Sequence, residues 1–212
     1  MPHENAHPLL ETFARERCSA ILRTPHQDAV APAMEAAVEG GFRIIEFTLN
    51  TPGALEQIAA FARREELIVG AGTVLSIEDA RAALDAGARF LVSPVADEEV
   101  IRYGVEAGAL LIPGIYTPAE MLNAWRAGAQ VLKLFPGPVG GPAYLRACLG
   151  PLPFLRIFPT SGVTLDNAAD YLAAGAFGLG WVNCLFEPED LAAGRFDAIR
   201  ERAATMTRVS RL

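Results

Sequence analysis

Lys133 is the only lysine in the 212 residues; every other strongly basic side chain is an arginine. It sits in the stretch Gln130-Val-Leu-Lys-Leu-Phe135, and Glu46 sits in Arg43-Ile-Ile-Glu-Phe-Thr-Leu49. Both are flanked by apolar residues, where a charge costs several kcal/mol unless it is paired. A lysine in such surroundings loses its preference for the ammonium form, so its pKa falls below ~10.4. The free amine can attack a ketone and form a Schiff base. The protonated imine then withdraws electrons, and an adjacent carbon–carbon bond can break or form. A carboxylate within reach supplies the proton transfers. The competing reading of the same two residues is a buried ion pair that only holds the structure closed.

Other chemistries find less support. Cys18, Cys148 and Cys184 are odd in number and lack metal-ligand spacing, so they read as free, buried thiols. No metal and no cofactor are expected. His3 and His7 could share a helical face, but with Pro8 following they read as solvated. Val69-Gly-Ala-Gly-Thr-Val74 has only part of the G-x-G-x-x-G pattern and reads as a tight turn closing a strand.

The elements that must carry these residues repeat. Ala-Gly-Ala occurs at 86–88, 107–109, 127–129 and 174–176, and Gly40-Gly41-Phe42 is a related junction. Each follows an amphipathic stretch and precedes an apolar, partly β-branched run. A glycine there caps a helix in the left-handed conformation. Four to six apolar residues after it read as a buried parallel strand. Gly87, Gly108 and Gly128 are 21 and 20 residues apart, and the wider gaps on either side hold one more junction each. Eight strands result, at 19–24, 43–49, 67–72, 89–94, 109–114, 130–135, 155–160 and 176–181. Eight βα units in this length predict a (β/α)₈ TIM barrel, with residues 1–212 as one domain. An extra N-terminal helix over residues 5–16 would plug the barrel bottom, and a last helix over 188–206 would complete the outer ring.

Active sites of such barrels gather at the C-terminal strand ends. Alternation places Glu46, Thr48 and Asn50 on one face of the second strand, and Lys133 and Phe135 on one face of the sixth. Arg23, Thr73, Pro94, Pro113-Gly114 and Thr160-Ser161-Gly162 lie at or just beyond other strand ends. Barrel interiors are normally filled with branched aliphatics, which favours chemistry over a structural ion pair for Glu46 and Lys133.

Composition bounds the partners. A formal net charge of −7 argues against nucleic acid and acidic membrane surfaces. Hydrophobic residues make up 51% of the chain, enough for a large core, yet no apolar run is long enough to span a bilayer. The polar, acid-bearing start lacks the pattern of a secretory signal. The expectation is a cytoplasmic protein acting on a small molecule.

At these residues the sequence resembles the 2-keto-3-deoxy-6-phosphogluconate / 4-hydroxy-2-oxoglutarate aldolases. The resemblance runs through "GFRIIEFTLNTP", "VGAGTVLS", "FLVSP", "LIPGIYTPAE", "LKLFPG", "FPTSGVTLDN" and "LAAGRFDAIRERA". It implies a metal-free class I aldolase of carbohydrate metabolism, Entner-Doudoroff-like, that releases pyruvate and an aldehyde from a 2-keto-3-deoxy sugar acid or 4-hydroxy-2-oxoglutarate. It also implies a homotrimer, and a 2-oxo acid as the substrate. By resemblance Lys133 forms the Schiff base and Glu46 is the general acid/base. Thr73, Pro94 and Phe135 line the pyruvate pocket, and Thr160, Ser161 and Gly162 contact the distal end of the substrate.

Two departures stand out. The phosphogluconate branch usually has arginine where this chain has Asn50; "LNTP" is nearer the "LNSP" of the phosphogalactonate branch. Arg23 is then the expected carboxylate ligand, since a guanidinium fork suits a carboxylate. Near the end of the eighth strand, Trp181 or Val182 falls where the family has a phosphate-binding serine, and Trp181 could fill that space. Two other readings keep the barrel. One is a Schiff-base decarboxylase of an oxaloacetate-type 2-oxo acid. The other is a non-catalytic barrel that binds a 2-oxo acid or sugar phosphate.

Overall fold

The computed structural model describes residues 6–211, so His3 lies outside the described residues. Strands and helices alternate: β1 (Cys18–Leu22), α2 (Gln27–Glu39), β2 (Ile44–Thr48), α3 (Ala54–Phe61), β3 (Ile68–Gly72), α4 (Ile77–Asp85), β4 (Phe90–Val92) and α5 (Glu98–Glu106). The fifth strand comes in two pieces, β5 (Leu110–Ile112) and β6 (Gly114–Ile115), divided at Pro113. Then follow α6 (Pro118–Ala127), β7 (Leu132–Leu134), α7 (Gly141–Leu149), β8 (Ile157–Pro159), α8 (Ala168–Ala173) and β9 (Leu179–Trp181). All pairings are parallel, in the orders β5-β4-β3-β2-β1-β9 and β6-β7-β8. The Phe177 amide donates to Ile157 O at 2.8 Å and closes the ring between β8 and β9. The sheet is the expected (β/α)₈ barrel.

The glycines read as helix stops have that conformation: Gly41, Gly87, Gly108, Gly128 and Gly175 all have positive φ. The last predicted helix differs. It is two helices, α9 (Pro188–Ala193) and α10 (Phe196–Ser210), because Gly194 at φ 65° ends the first. His7 also differs, being half-buried and bonded rather than solvated. Its Nδ1 accepts from the Leu9 amide, and its Nε2 lies 3.1 Å from Gly108 O.

Two apolar clusters follow from strand alternation. One packs the outward strand residues, such as Ile45, Phe47 and Trp181, against the helices. The other fills the lower interior with Ile44, Ile68, Phe90, Leu110, Val131 and Phe158. The first helix, α1 (Leu10–Glu16), begins later than predicted but does plug the barrel. Its Phe13 meets the rings of Phe90 and Phe158 edge-on, with centroids 5.4 and 6.0 Å away.

Candidate active site

Above that aromatic floor the inward positions change character. On β2 the inward series runs Ile44, Glu46, Thr48; on β7 and its end it runs Leu-flanked Lys133, then Phe135. Glu46 is 1% exposed and Lys133 4%. Both adjoin a gap of about 10 Å³ walled by Ser19, Ile21, Phe13, Phe90, Phe158 and Thr160. Lys133 Nζ also lies 5.0 Å from the centroid of the Phe135 ring. Two oxygens here, Glu46 Oε1 and Thr160 Oγ1, are buried without a hydrogen-bond partner among the described residues.

Burial dominates the electrostatics. It pushes the Glu46 carboxyl above its ordinary range, against the opposing pull of Lys133 and then Arg23. It pushes the Lys133 amine below its ordinary range; Glu46 opposes this and Arg23 adds to it. Both shifts are in the direction that burial alone gives, toward the uncharged form of each group. A closing ion pair would instead favour the charged forms. The fold brings the Lys133 amine and the Glu46 carboxyl to one buried gap.

Lys133 also borders a larger cavity of about 300 Å³ that opens at the C-terminal strand ends. Of the other expected site residues, Arg23, Phe135, Thr160, Ser161 and Gly162 line it. Thr160 is the deepest of these and borders the inner gap as well, which puts it beside the amine rather than at the distal end. Glu46 does not line this cavity; it borders the inner gap, which Lys133 and Thr160 share.

Besides Glu46, three expected residues are not on this cavity wall. Thr73 and Pro94 stay at the ends of β3 and β4, half-buried. Thr73 holds a left-handed backbone at φ 59°. Asn50 is a correction. The chain leaves β2 after Thr48 and turns, with the Thr51 amide donating to Thr48 O at 2.8 Å. The alternation stops there, and Asn50 is exposed in a separate depression with Pro52, Glu56 and Asp79. Thr48 keeps its inward place, and its hydroxyl meets Leu22 O and Thr51 Oγ1.

Trp181 is a second correction. It does not fill the distal space: its side chain is fully buried on the outer face of β9, and Nε1 donates to Ser210 Oγ of α10 at 3.1 Å. Its neighbours Gly180 and Val182 line the cavity instead, followed by Asn183 and Cys184. Cys184 is thus a half-buried wall residue rather than a core thiol, with Sγ donating to Val163 O at 3.2 Å. The small-large-small order Gly180-Trp181-Val182 was the available signal for this phase.

Among the described residues no group of His, Cys, Asp and Glu is placed to hold a metal, and no helix is long and apolar enough to cross a membrane.

The sequence matches the family model described as KDPG and KHG aldolase over residues 11–201. A 2-dehydro-3-deoxy-phosphogluconate aldolase of Pseudomonas aeruginosa is 39% identical over 77% of this chain and 76% of its own length. A probable 2-dehydro-3-deoxy-6-phosphogalactonate aldolase of Rhizobium meliloti is 38% identical over 87% of this chain and 86% of its own. Among solved structures, a KDPG aldolase from Legionella pneumophila, with pyruvate captured as a covalent carbinolamine, superposes with a TM-score of 0.85. It is 26% identical, over 93% of this chain and 97% of that one.

Proposed function

The chain belongs to the KDPG and KHG aldolase family, and from that premise we propose that it is a class I aldolase using Lys133 and Glu46 to split a 2-keto-3-deoxy sugar acid into pyruvate and an aldehyde. The observation that carries this reading is the amine of the chain's single lysine, at the foot of an open cavity and sharing a buried gap with a carboxyl oxygen that has no hydrogen-bond partner among the described residues.

The placement of Lys133 and Glu46 supports the following steps. The neutral Lys133 amine adds to the C2 ketone, and the protonated Glu46 carboxyl gives its proton as the C2 oxygen leaves as water. The imine that forms carries a positive charge on nitrogen. Glu46, now a carboxylate, takes the proton of the C4 hydroxyl. The C3–C4 bond breaks, its electron pair flows toward the imine, and the aldehyde departs. Glu46 returns that proton to C3 of the enamine, and water then hydrolyses the imine, with Glu46 taking up the proton set free, to release pyruvate and the neutral amine.

Arg23, the other cation on the cavity wall, receives the substrate carboxylate. Phe135 packs beside the reacting carbons, and Thr160 offers its free hydroxyl there. Ser161 and Gly162 face the far end of the chain.

Borohydride reduction in the presence of pyruvate tests the reading. The expected product is one pyruvate-derived adduct on Lys133, read by peptide mass spectrometry. An unmodified Lys133 in protein that turns over substrate would sink it. The same reading carries the homotrimer of the family as the expected assembly, and light scattering that returns a monomer would count against that part.

A further inference from the structure

The two glycines of Gly70-Ala-Gly72 lie within β3, with no positive φ, so they do not form the tight turn that the sequence suggested. Gly178 and Gly180 are spaced in the same way at and just before β9, again with no positive φ. At all four positions an alanine backbone is allowed, so conformational freedom does not explain the glycines. Space does. A Cβ on Gly70 would lie 2.4 Å from the Phe90 ring, and one on Gly178 would lie 2.4 Å from the Phe158 ring. A Cβ on Gly72 would come within 2.8 Å of Glu46 Cδ and still closer to Oε1. A Cβ on Gly180 would meet the Thr160 methyl and, at 2.9 Å, Ile21 Cδ1.

The lower glycine of each pair therefore admits a ring of the floor. The upper glycine admits one of the two buried oxygen-bearing side chains that flank Lys133. We propose that Gly72 and Gly180 are positioning residues for the reaction: they set where Glu46 and Thr160 stand, and Gly72 does so for the proton-transferring carboxyl itself. This rests on the aldolase reading only for its kinetic consequence. The steric claim can be tested without turnover.

Gly72→Ala is expected to displace the Glu46 carboxyl by about an ångström, a misplacement that can lower kcat ~100-fold. KM should change little, because Arg23 and the rest of the cavity wall are untouched. The pH limb that belongs to Glu46 should shift, since the carboxyl leaves its buried slot. The decisive arm is stability. Gly72→Ala should lower Tm, and Glu46→Ala added to it should restore much of the loss, since the crowding partner is gone. In parallel, Thr160→Ser, which deletes the crowding methyl and keeps the hydroxyl, should recover stability lost in Gly180→Ala.

If Gly72→Ala with Glu46→Ala melts no higher than Gly72→Ala alone, the slot is not for Glu46 and the proposal falls. It falls equally if Gly72→Ala keeps kcat within threefold with an unchanged pH profile. Failure of pyruvate trapping on Lys133 would instead remove the aldolase reading and leave the stability result standing.

Discussion

Two residues separate the floor of the barrel from its chamber: Ile44, Val131 and Phe158 lie below, and Glu46, Lys133 and Thr160 above. In the floor, Phe13, Phe90 and Phe158 meet edge-on and exclude polar groups. One step up, Glu46, Lys133 and Thr160 occupy the equivalent inward positions, and two of their oxygens have no hydrogen-bond partner among the described residues. The difference teaches that the floor is part of the chemistry. Lys133 shares its inner gap with Phe13, Phe90 and Phe158, so part of the burial that holds its pKa below the usual value comes from residues outside the substrate cavity.

That contrast can be broken from either side. Replacing the amine has the largest effect. Lys133→Arg keeps a positive charge but cannot form an imine, and coupled pyruvate detection should show turnover at background.

Glu46→Gln comes next, with kcat lower by 10²–10⁴-fold in the same assay. It should also alter two pH profiles. Glu46 holds the Lys133 pKa up, so its removal should move the acidic limb of adduct formation to lower pH. The carboxyl of folded Glu46 titrates above its ordinary value, so the folded state holds the extra proton. Wild-type stability therefore falls as pH rises through that window. Melting curves of Glu46→Gln should lose this slope.

Phe13→Ala attacks the floor alone. It should cost about 3–5 kcal/mol of stability. By admitting water beneath the amine, it should move the acidic limb of kcat/KM to higher pH, although Phe13 lies outside the substrate cavity. An unchanged limb would separate floor from chamber. The smallest effect is expected outside the barrel wall: Trp181→Phe should lose about 1 kcal/mol with its hydrogen bond to Ser210 and leave kcat and KM unchanged.

Much of this was legible in the sequence, for identifiable reasons. The helix-stopping glycines were readable because a left-handed cap is a local backbone requirement, met at Gly41, Gly87, Gly108, Gly128 and Gly175 alike. Lys133 and Glu46 were readable because a charge among apolar neighbours violates a local expectation. Asn50 was misplaced because period-two counting was carried past the residue where the strand ends, and that end is set by hydrogen bonds between strands. Trp181 was misplaced because the phase of alternation on β9 depends on what the barrel and α10 leave free on each side. Gly72 was read as a turn because a glycine's use as empty volume depends on a side chain 26 residues earlier on the neighbouring strand, which no local pattern reports.

The replacement of every other lysine by arginine has a practical side. The protein presents a single side-chain amine, and the 300 Å³ cavity is the opening that leads to it. Acylating reagents aimed at lysine will find one address on its side chains, and anything seated in the cavity stands in front of that address. The rate at which a small amine-directed probe marks Lys133 is therefore a built-in gauge of pocket occupancy. It can rank candidate 2-oxo acids by protection alone, before any of them has been turned over.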